Sequence, residues 1–346
     1  MKSMKNLPHY CTHAAEFFLA STGSDRLPLP IRSLYGWLTG MLVDAVKFVL
    51  PDNGMLFEDQ DYDPRMFDLQ RLPYPICAFE FMADDSSHVP AEGTILSKRR
   101  IALAFDPHAL SLDRKLLLNY LCGEDDVVST LPARCIAIQA VFDSPEMNTW
   151  NTSLGLAFTN LDGPPPSADR DAIMNGMGDR ERRIMEEVSQ TTLKDREKTK
   201  HAMLRGALSF STLFELLEID HDAGVKSLQL DTNDETLVVY EALAVLNCRN
   251  VSVASESAPR LLNEKRRKKG KIPFFEYKVL EVGPTTGTVG SEGGAGTHAS
   301  PRMHLRRGHL RHLHERHGGG VIWINSTIVN PESKQGMVQK AYRIVP

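Results

Sequence analysis

The triplet Pro164-Pro165-Pro166, entered through Asp162-Gly163, constrains this chain more than any other local feature. Three consecutive prolines remove three backbone donors and hold φ near about −65°, so neither a helix nor a ladder runs through them. The segment reads as a stiff, extended linker. Residues 1–162 are therefore expected to fold ahead of it as one α+β domain. Residues 163–250 follow as a helical region, and residues 251–346 as a separate basic, β-rich module.

Within the first unit, Ile31 to Leu50 carries Leu34, Leu38, Leu42, Ala45, Val46 and Val49 at helical spacing and meets Pro51, which predicts one helix. Strand-like runs follow at Ile76–Met82, Thr94–Phe105, Cys135–Phe142 and Ser153–Thr159. Each is short, rich in β-branched or aromatic residues, and bounded by Pro, Gly, Asp or Asn. Beyond the prolines, Ser167 is placed to cap a charged helix running to about Gln190, with Ile173, Met177, Ile184 and Val188 as its apolar stripe. Further helices are predicted over Lys200–Glu218 and Asp234–Leu246. The charge alternation from Asp169 to Lys200 reads as a solvated or partner-binding helix face. In the last module, Val251–Ser255, Phe274–Val282, Val321–Val329 and Ala341–Val345 read as strands around a Gly/Thr-rich loop, Gly283–Thr297. The fold class expected is α+β: a mixed N-terminal domain, a helical middle and a small β-rich basic C-terminal module.

Charge is distributed unevenly over these units. Residues 251–346 hold 16 Lys/Arg against 7 Asp/Glu, a net of +9. The whole chain is −4, so residues 1–250 carry −13. Lys265, Arg266, Arg267, Lys268, Lys269 and Lys271 form one cationic loop between Pro259 and Pro273. Such a run binds phosphates by releasing condensed counterions, which supplies affinity with little sequence discrimination. Phe274, Phe275 and Tyr277 follow directly, and a ring on an open strand face can stack on a base.

The second cluster holds six of the 12 histidines, His298, His304, His309, His312, His314 and His317, interleaved with Arg302, Arg306, Arg307, Arg311 and Arg316. Arginine forks clamp phosphate oxygens, and neutral imidazoles donate to them. Two histidines facing one phosphate, with an arginine against the developing charge, would cleave a phosphodiester without metal. His304 and His309 with Arg307 are the candidates for that role. The HLHERH spacing matches no standard zinc pattern, so no metal is assigned. Gly308, in RRGH, permits a close backbone approach to a phosphate or a bulge in a strand.

The five cysteines, Cys11, Cys77, Cys122, Cys135 and Cys248, show no CxxC spacing and read as reduced, buried thiols of a cytosolic protein. The N-terminus lacks the apolar core of a signal peptide. The longest apolar run, Leu34–Leu50, contains Asp44 and Lys47 and is too short to span a bilayer. Nucleotide-binding loops and the nucleophile elbow are missing from the sequence, and no cofactor is expected. The acidic clusters Asp84-Asp85 and Glu124-Asp125-Asp126 read as solvated surface.

LNEKRRKKGKIPFFEYKVLEV, followed by HASPRMHLRRGHLRHL and VIWINSTIV, resembles the C-terminal module of a group of uncharacterised tailed-phage and prophage proteins. In these a basic LNxKRxKKGK segment leads to HxSPRxHxRRGHxR and a Trp-containing strand, and RLPYPICAFEF resembles an N-terminal feature of similar phage proteins. After His312 this chain departs from the pattern, with HERHGGG in place of a short Ser/Gly turn. The resemblance implies phage or prophage origin and action in a bacterial cytoplasm. It carries no catalytic role.

The leading expectation is a phage-encoded nucleic-acid-binding protein, with RNA or single-stranded DNA favoured. Lys265, Arg266, Arg267, Lys268, Lys269, Arg302, Arg306, Arg307 and Arg311 would contact phosphates. The alternatives are a metal-independent nuclease using His304 and His309, or a protein-binding inhibitor of a host defence or polymerase system. The −13 of residues 1–250 suits the last, because an acidic surface can occupy a nucleic-acid channel.

Overall fold

Runs of β-branched, aromatic and small apolar residues from all parts of the described chain meet in one sheet. The structure is a computed structural model that describes residues 7–51, 54, 56, 64–83, 97–144, 148–162, 205–282, 304–306, 309–314, 319–324 and 327–329. Helix α1 (Tyr10–Thr22) and helix α2 (Leu29–Asp44) lead into strand β1 (Val46–Val49). After a short 3-10 turn come β2 (Ile76–Met82), β3 (Arg99–Phe105), helix α3 (Leu112–Cys122), β4 (Cys135–Ser144), β5 (Thr149–Thr152) and β6 (Gly155–Asn160). Next are β7 (Arg205–Ser209) and helices α4 (Ser211–Leu216), α5 (His221–Asp231) and α6 (Asn233–Leu246). Strand β8 (Val251–Glu256), helix α7 (Arg260–Lys268) and β9 (Tyr277–Val282) follow. Four short strands end the described chain: β10 (His304–Arg306), β11 (His309–His312), β12 (Val321–Ile324) and β13 (Thr327–Val329).

Nine strands form the main sheet in the order β7-β6-β4-β3-β2-β1-β9-β8, with β5 added beside β4. Strand β1 runs parallel to both β2 and β9; every other pairing is antiparallel. Alternation sorts the central strands into two apolar faces. Ala78, Ile101, Leu103, Phe105, Ala137 and Val141 pack with α1, α2 and α3. Cys77, Phe79, Phe81, Ala102, Ala104, Ile136 and Ile138 pack against Val238, Val239, Ala242 and Leu243 of α6. A sheet covered on both faces needs strands that are apolar on both faces, and β2 to β4 are near-continuous hydrophobic runs. The fold is α+β, as the sequence implies.

Two elements of the main sheet differ from expectation, and the run read as one strand over Val321–Val329 holds two, β12 and β13, with different partners. The helix read over Ile31–Leu50 ends at Asp44, and Val46–Val49 is a strand. Ala45 turns the chain with φ −58° and ψ 145°, after which Val46, Lys47, Phe48 and Val49 pair with Cys77, Ala78, Phe79 and Glu80. Ladder bonds and burial of Phe48 outweigh an apolar spacing that fits a helix equally well locally. The helix read over Lys200–Glu218 likewise gives way to β7, and among the described residues of that range only Ser211–Leu216 is helical. Strand β7 completes the edge beside β6, where Gly206 lies opposite Phe158 and leaves room for its ring.

No helix is expected from the sequence over α3 or α5. Helix α3 is bounded by Ser111 and by Gly123, which adopts φ 69° at the C-cap. The proline linker, the expected helix of Ser167–Gln190, the loop Gly283–Thr297 and the expected strand Ala341–Val345 lie outside the described residues.

Candidate interaction surface

The cationic run is an α-helix. Pro259 precedes it with φ −53°, Pro273 follows, and Gly270 turns the chain at φ 68° after the last helical residue. Lys265, Arg266, Arg267 and Lys268 all fall in its last turn, where positive charge is favoured by the helix dipole. The loop expected between Pro259 and Pro273 is thus mostly α7, and its charges have fixed directions.

Its inner face is held by polar groups. Asn263 donates from Nδ2 to the Phe274 carbonyl at 3.0 Å, and its Oδ1 accepts from Phe274 N at 2.8 Å. Arg266 donates to Glu16 Oε1 of α1 at 2.5 Å and to the Ile272 carbonyl at 2.8 Å. The same Glu16 oxygen accepts from Ile272 N at 3.0 Å. The Arg266 guanidinium also lies 4.0 Å from the Phe274 ring centre, and His9 stacks on that ring at 3.9 Å. Burial lowers the His9 pKa to about 4, with His13 and Arg266 acting in the same direction. Burial lowers His13 too, against the pull of Glu16. Neutral imidazoles beside Arg266 leave its ion pair unopposed.

The connector from α7 to β9 is equally fixed. Lys47 on β1 donates to the Val43 carbonyl at 2.7 Å and lies 3.7 Å from the centre of the Phe275 ring. Tyr277 is fully buried and donates from Oη to Glu80 Oε1 at 2.8 Å. Glu80, fully buried on β2, also accepts from Tyr10 N and Cys11 N at the start of α1, both at 2.8 Å. Burial raises the Glu80 pKa, while the donors from Cys11, Tyr277 and Tyr10 work against it. A carboxylate at a helix N-terminus complements the exposed N–H groups and the dipole. These contacts commit Phe274, Phe275 and Tyr277 to the interior side of the surface. Tyr277 is buried and Phe274 is sandwiched between His9 and Arg266, so neither offers a free face to a base, and Phe275 is half-buried with Lys47 over its ring.

Of the phosphate candidates in this run, Lys265, Arg267, Lys268 and Lys269 face solvent, and so does Lys271. Arg266 points inward to Glu16, with its side chain 13% exposed. One residue of the run anchors the helix and the rest form a cationic row.

The second cluster is divided between two strand pairs. Strand β10 pairs with β13, placing His304 opposite Val329 and Arg306 opposite Thr327. Strand β11 pairs with β12, placing His309 opposite Ile324 and Leu310 opposite Trp323. Leu310 packs with Val321 and Trp323 onto Val245 and Cys248, while Arg311 and His312 are exposed. Asn250 fastens β12 by accepting from Trp323 N and donating to the Trp323 carbonyl, both at 2.7 Å. The HERHGGG segment lies in the connection between β11 and β12. It is closed by Leu313 N donating to the Gly320 carbonyl at 2.8 Å, with Gly319 and Gly320 at φ 60° and 84°. Arg302 and Arg307 lie outside the described residues, as do the side chains of His304, Arg306 and His309.

All five cysteines are free and buried. Burial raises their thiols, to about 12 for Cys77, Cys122 and Cys248 and about 11 for Cys135, so none is poised as a thiolate. Among the described residues no group of three His, Cys, Asp or Glu could hold a metal ion. No described helix is long and apolar enough to cross a membrane.

Sequence reasoning missed the anchoring residues Glu16, Asn263 and Phe274. Their only local trace is the spacing of Asn263 and Arg266, which shares one helical face.

A clamped helix with an exposed cationic row, set on a mixed sheet, defines an α+β protein. The chain belongs to the AcrVA2-like family, the anti-CRISPR type V subtype A2 family, whose model matches residues 56–331. This membership puts it among phage-type proteins that act on a host defence system. No curated protein and no solved structure matches it.

Proposed function

We propose that this protein inhibits a type V CRISPR defence in the bacterial cytoplasm by binding a component of that system. The family match over residues 56–331 carries the reading. The cationic row of α7 supports a contact surface within it. Lys265, Arg267, Lys268 and Lys269 project from a helix whose inner face is already pinned, so little ordering cost opposes binding. A phosphate backbone, RNA or single-stranded DNA held by the target, fits such a row, with Arg302, Arg306, Arg307 and Arg311 as a second set of contacts.

The test is plasmid interference in bacteria carrying a type V CRISPR system directed at that plasmid. Expression of the chain should restore transformation, and unchanged interference would sink the reading. The variant K265A/R267A/K268A/K269A should keep the native unfolding temperature and lose on the order of tenfold or more of the protection. Binding to labelled single-stranded RNA should show a salt slope reduced by about 0.7 for each phosphate contact removed. A second variant, R306A/R307A, should reduce it further. Pull-down from nuclease-treated lysate separates protein capture from capture through nucleic acid.

A further inference from the structure

Helix α3 is amphipathic in the wrong sense for a solvent-facing helix. Leu118, Leu121 and Cys122 are buried, yet Leu112, Leu116 and Tyr120 are 71%, 56% and 38% exposed. Positions i, i+4 and i+8 stand one above another on a helix, so these three make an apolar stripe about 12 Å long. The polar residues of α3 that would normally cover such a stripe are committed elsewhere. Arg114 reaches Asp44 and the Gly40 carbonyl, and Lys115 donates to the His108 carbonyl at 2.8 Å. Asn119 donates to the Asp125 carbonyl and accepts from Val127 N.

The charge around the stripe is negative. Arg114 is ion-paired with Asp44, and Lys115, on the His108 carbonyl, is offset by the exposed Asp113 beside Leu112, so the net charge comes from the helix end. Beyond Gly123 come Glu124, Asp125 and Asp126, all exposed, at the helix end where the dipole is negative. Helix α4 packs at that end, with Thr212 Oγ1 donating to the Leu121 carbonyl at 2.9 Å, and it leaves Leu216 and Leu217 exposed. An exposed apolar stripe rimmed by charge of one sign is a contact surface, and the sign selects its partner.

We propose that the outer face of α3 is a docking site for a cationic amphipathic helix of a protein partner. Apolar residues at i, i+3 or i+4 and i+7 of that helix would lie along Leu112, Leu116 and Tyr120. Its lysines or arginines would face Glu124, Asp125 and Asp126. The same carboxylates disfavour nucleic acid and anionic lipid. This face is distinct from α7 and does not depend on the function proposed above.

The test is fluorescence anisotropy of the full chain with two labelled helical peptides of the same pattern, one built of Leu and Lys and the other of Leu and Glu. The Leu/Lys peptide should bind and the Leu/Glu peptide should not. L112S/L116S/Y120S and E124Q/D125N/D126N should each weaken binding on the order of tenfold, while K265A/K268A should leave it unchanged. Equal binding of both peptides, or undiminished affinity in L112S/L116S/Y120S, would overturn the proposal. That variant should also unfold within about 2 °C of the wild type. A large drop would mean that the chain itself covers the stripe, which overturns the proposal as well. Self-association that is abolished by the variant would make a second copy the occupant and would also overturn it.

Discussion

Arg266 and Lys265 are neighbours in one basic run, and their surroundings give them opposite tasks. Lys265 is exposed; Arg266 bonds Glu16 and the Ile272 carbonyl and covers Phe274. Arg266→Ala removes a largely buried charged donor and leaves Glu16 without its ion-pair partner, so urea unfolding should show a loss of about 2–3 kcal/mol. Lys265→Ala should stay within about 0.5 kcal/mol of the wild type. His9 adds a pH dependence at the same joint. Its folded pKa of about 4 lies below the ordinary 6.5, so the unfolded chain takes up the proton first as pH falls. The contribution is fully present above about pH 6.5 and is lost as pH falls through about 4. His9→Asn, which tolerates the left-handed φ of 55° at this position, should flatten thermal stability measured between those pH values.

Among the elements, β6 and β7 depend on close backbone approach at Gly155. A Cβ there would stand 2.4 Å from the Leu208 carbonyl oxygen and 2.7 Å from Leu228 Cδ2. Because the first neighbour is backbone in a paired strand, Gly155→Ala should cost about 1–3 kcal/mol, read by chemical unfolding. Strands β2, β3 and β4 were legible in the sequence because length and β-branched or aromatic content agreed with burial on both faces. Strands β1 and β7 were not. Val46–Val49 continues the apolar spacing of α2, and Arg205–Ser209 has no alternation to read, so in each case the neighbouring strand decides. Helix α7 was legible as a charged segment between two prolines, but its helical state and the inward turn of Arg266 come from contacts with α1. The exposed stripe of α3 has the same cause. Leu112, Leu116 and Tyr120 stay outside while Arg114 and Lys115 are bonded to α2 and to the segment before α3.

At the level of the whole molecule, β1 joins the N-terminal part of the chain to β9 and β8. It lies between β2 and β9, and Glu80 ties the start of α1 to Tyr277 on β9. A chain ending at residue 250 would lose β9, open the β1 edge and leave Glu80 without Tyr277. Size-exclusion chromatography and dye binding should find it aggregated or loosely folded. A monodisperse fragment with native-like stability would refute this role for β9.

The sequence alone determined the α+β class, the central strands, helix α6, the buried reduced thiols, the phage character and the position of the cationic run. All but the phage character follow from composition and from periods of two or 3.6 residues, which are local properties; the phage character is what the resemblance of the C-terminal motifs implies. The tertiary structure alone decided that β1 is a strand, that β8 and β9 join the main sheet, which cation of the run is an anchor, and which apolar stripe stays outside. Each depends on which partner a residue meets across tens or hundreds of positions, as Arg266 meets Glu16 and Tyr277 meets Glu80. Local pattern cannot encode those meetings, because they are settled by which set of burials and buried hydrogen bonds can be satisfied together.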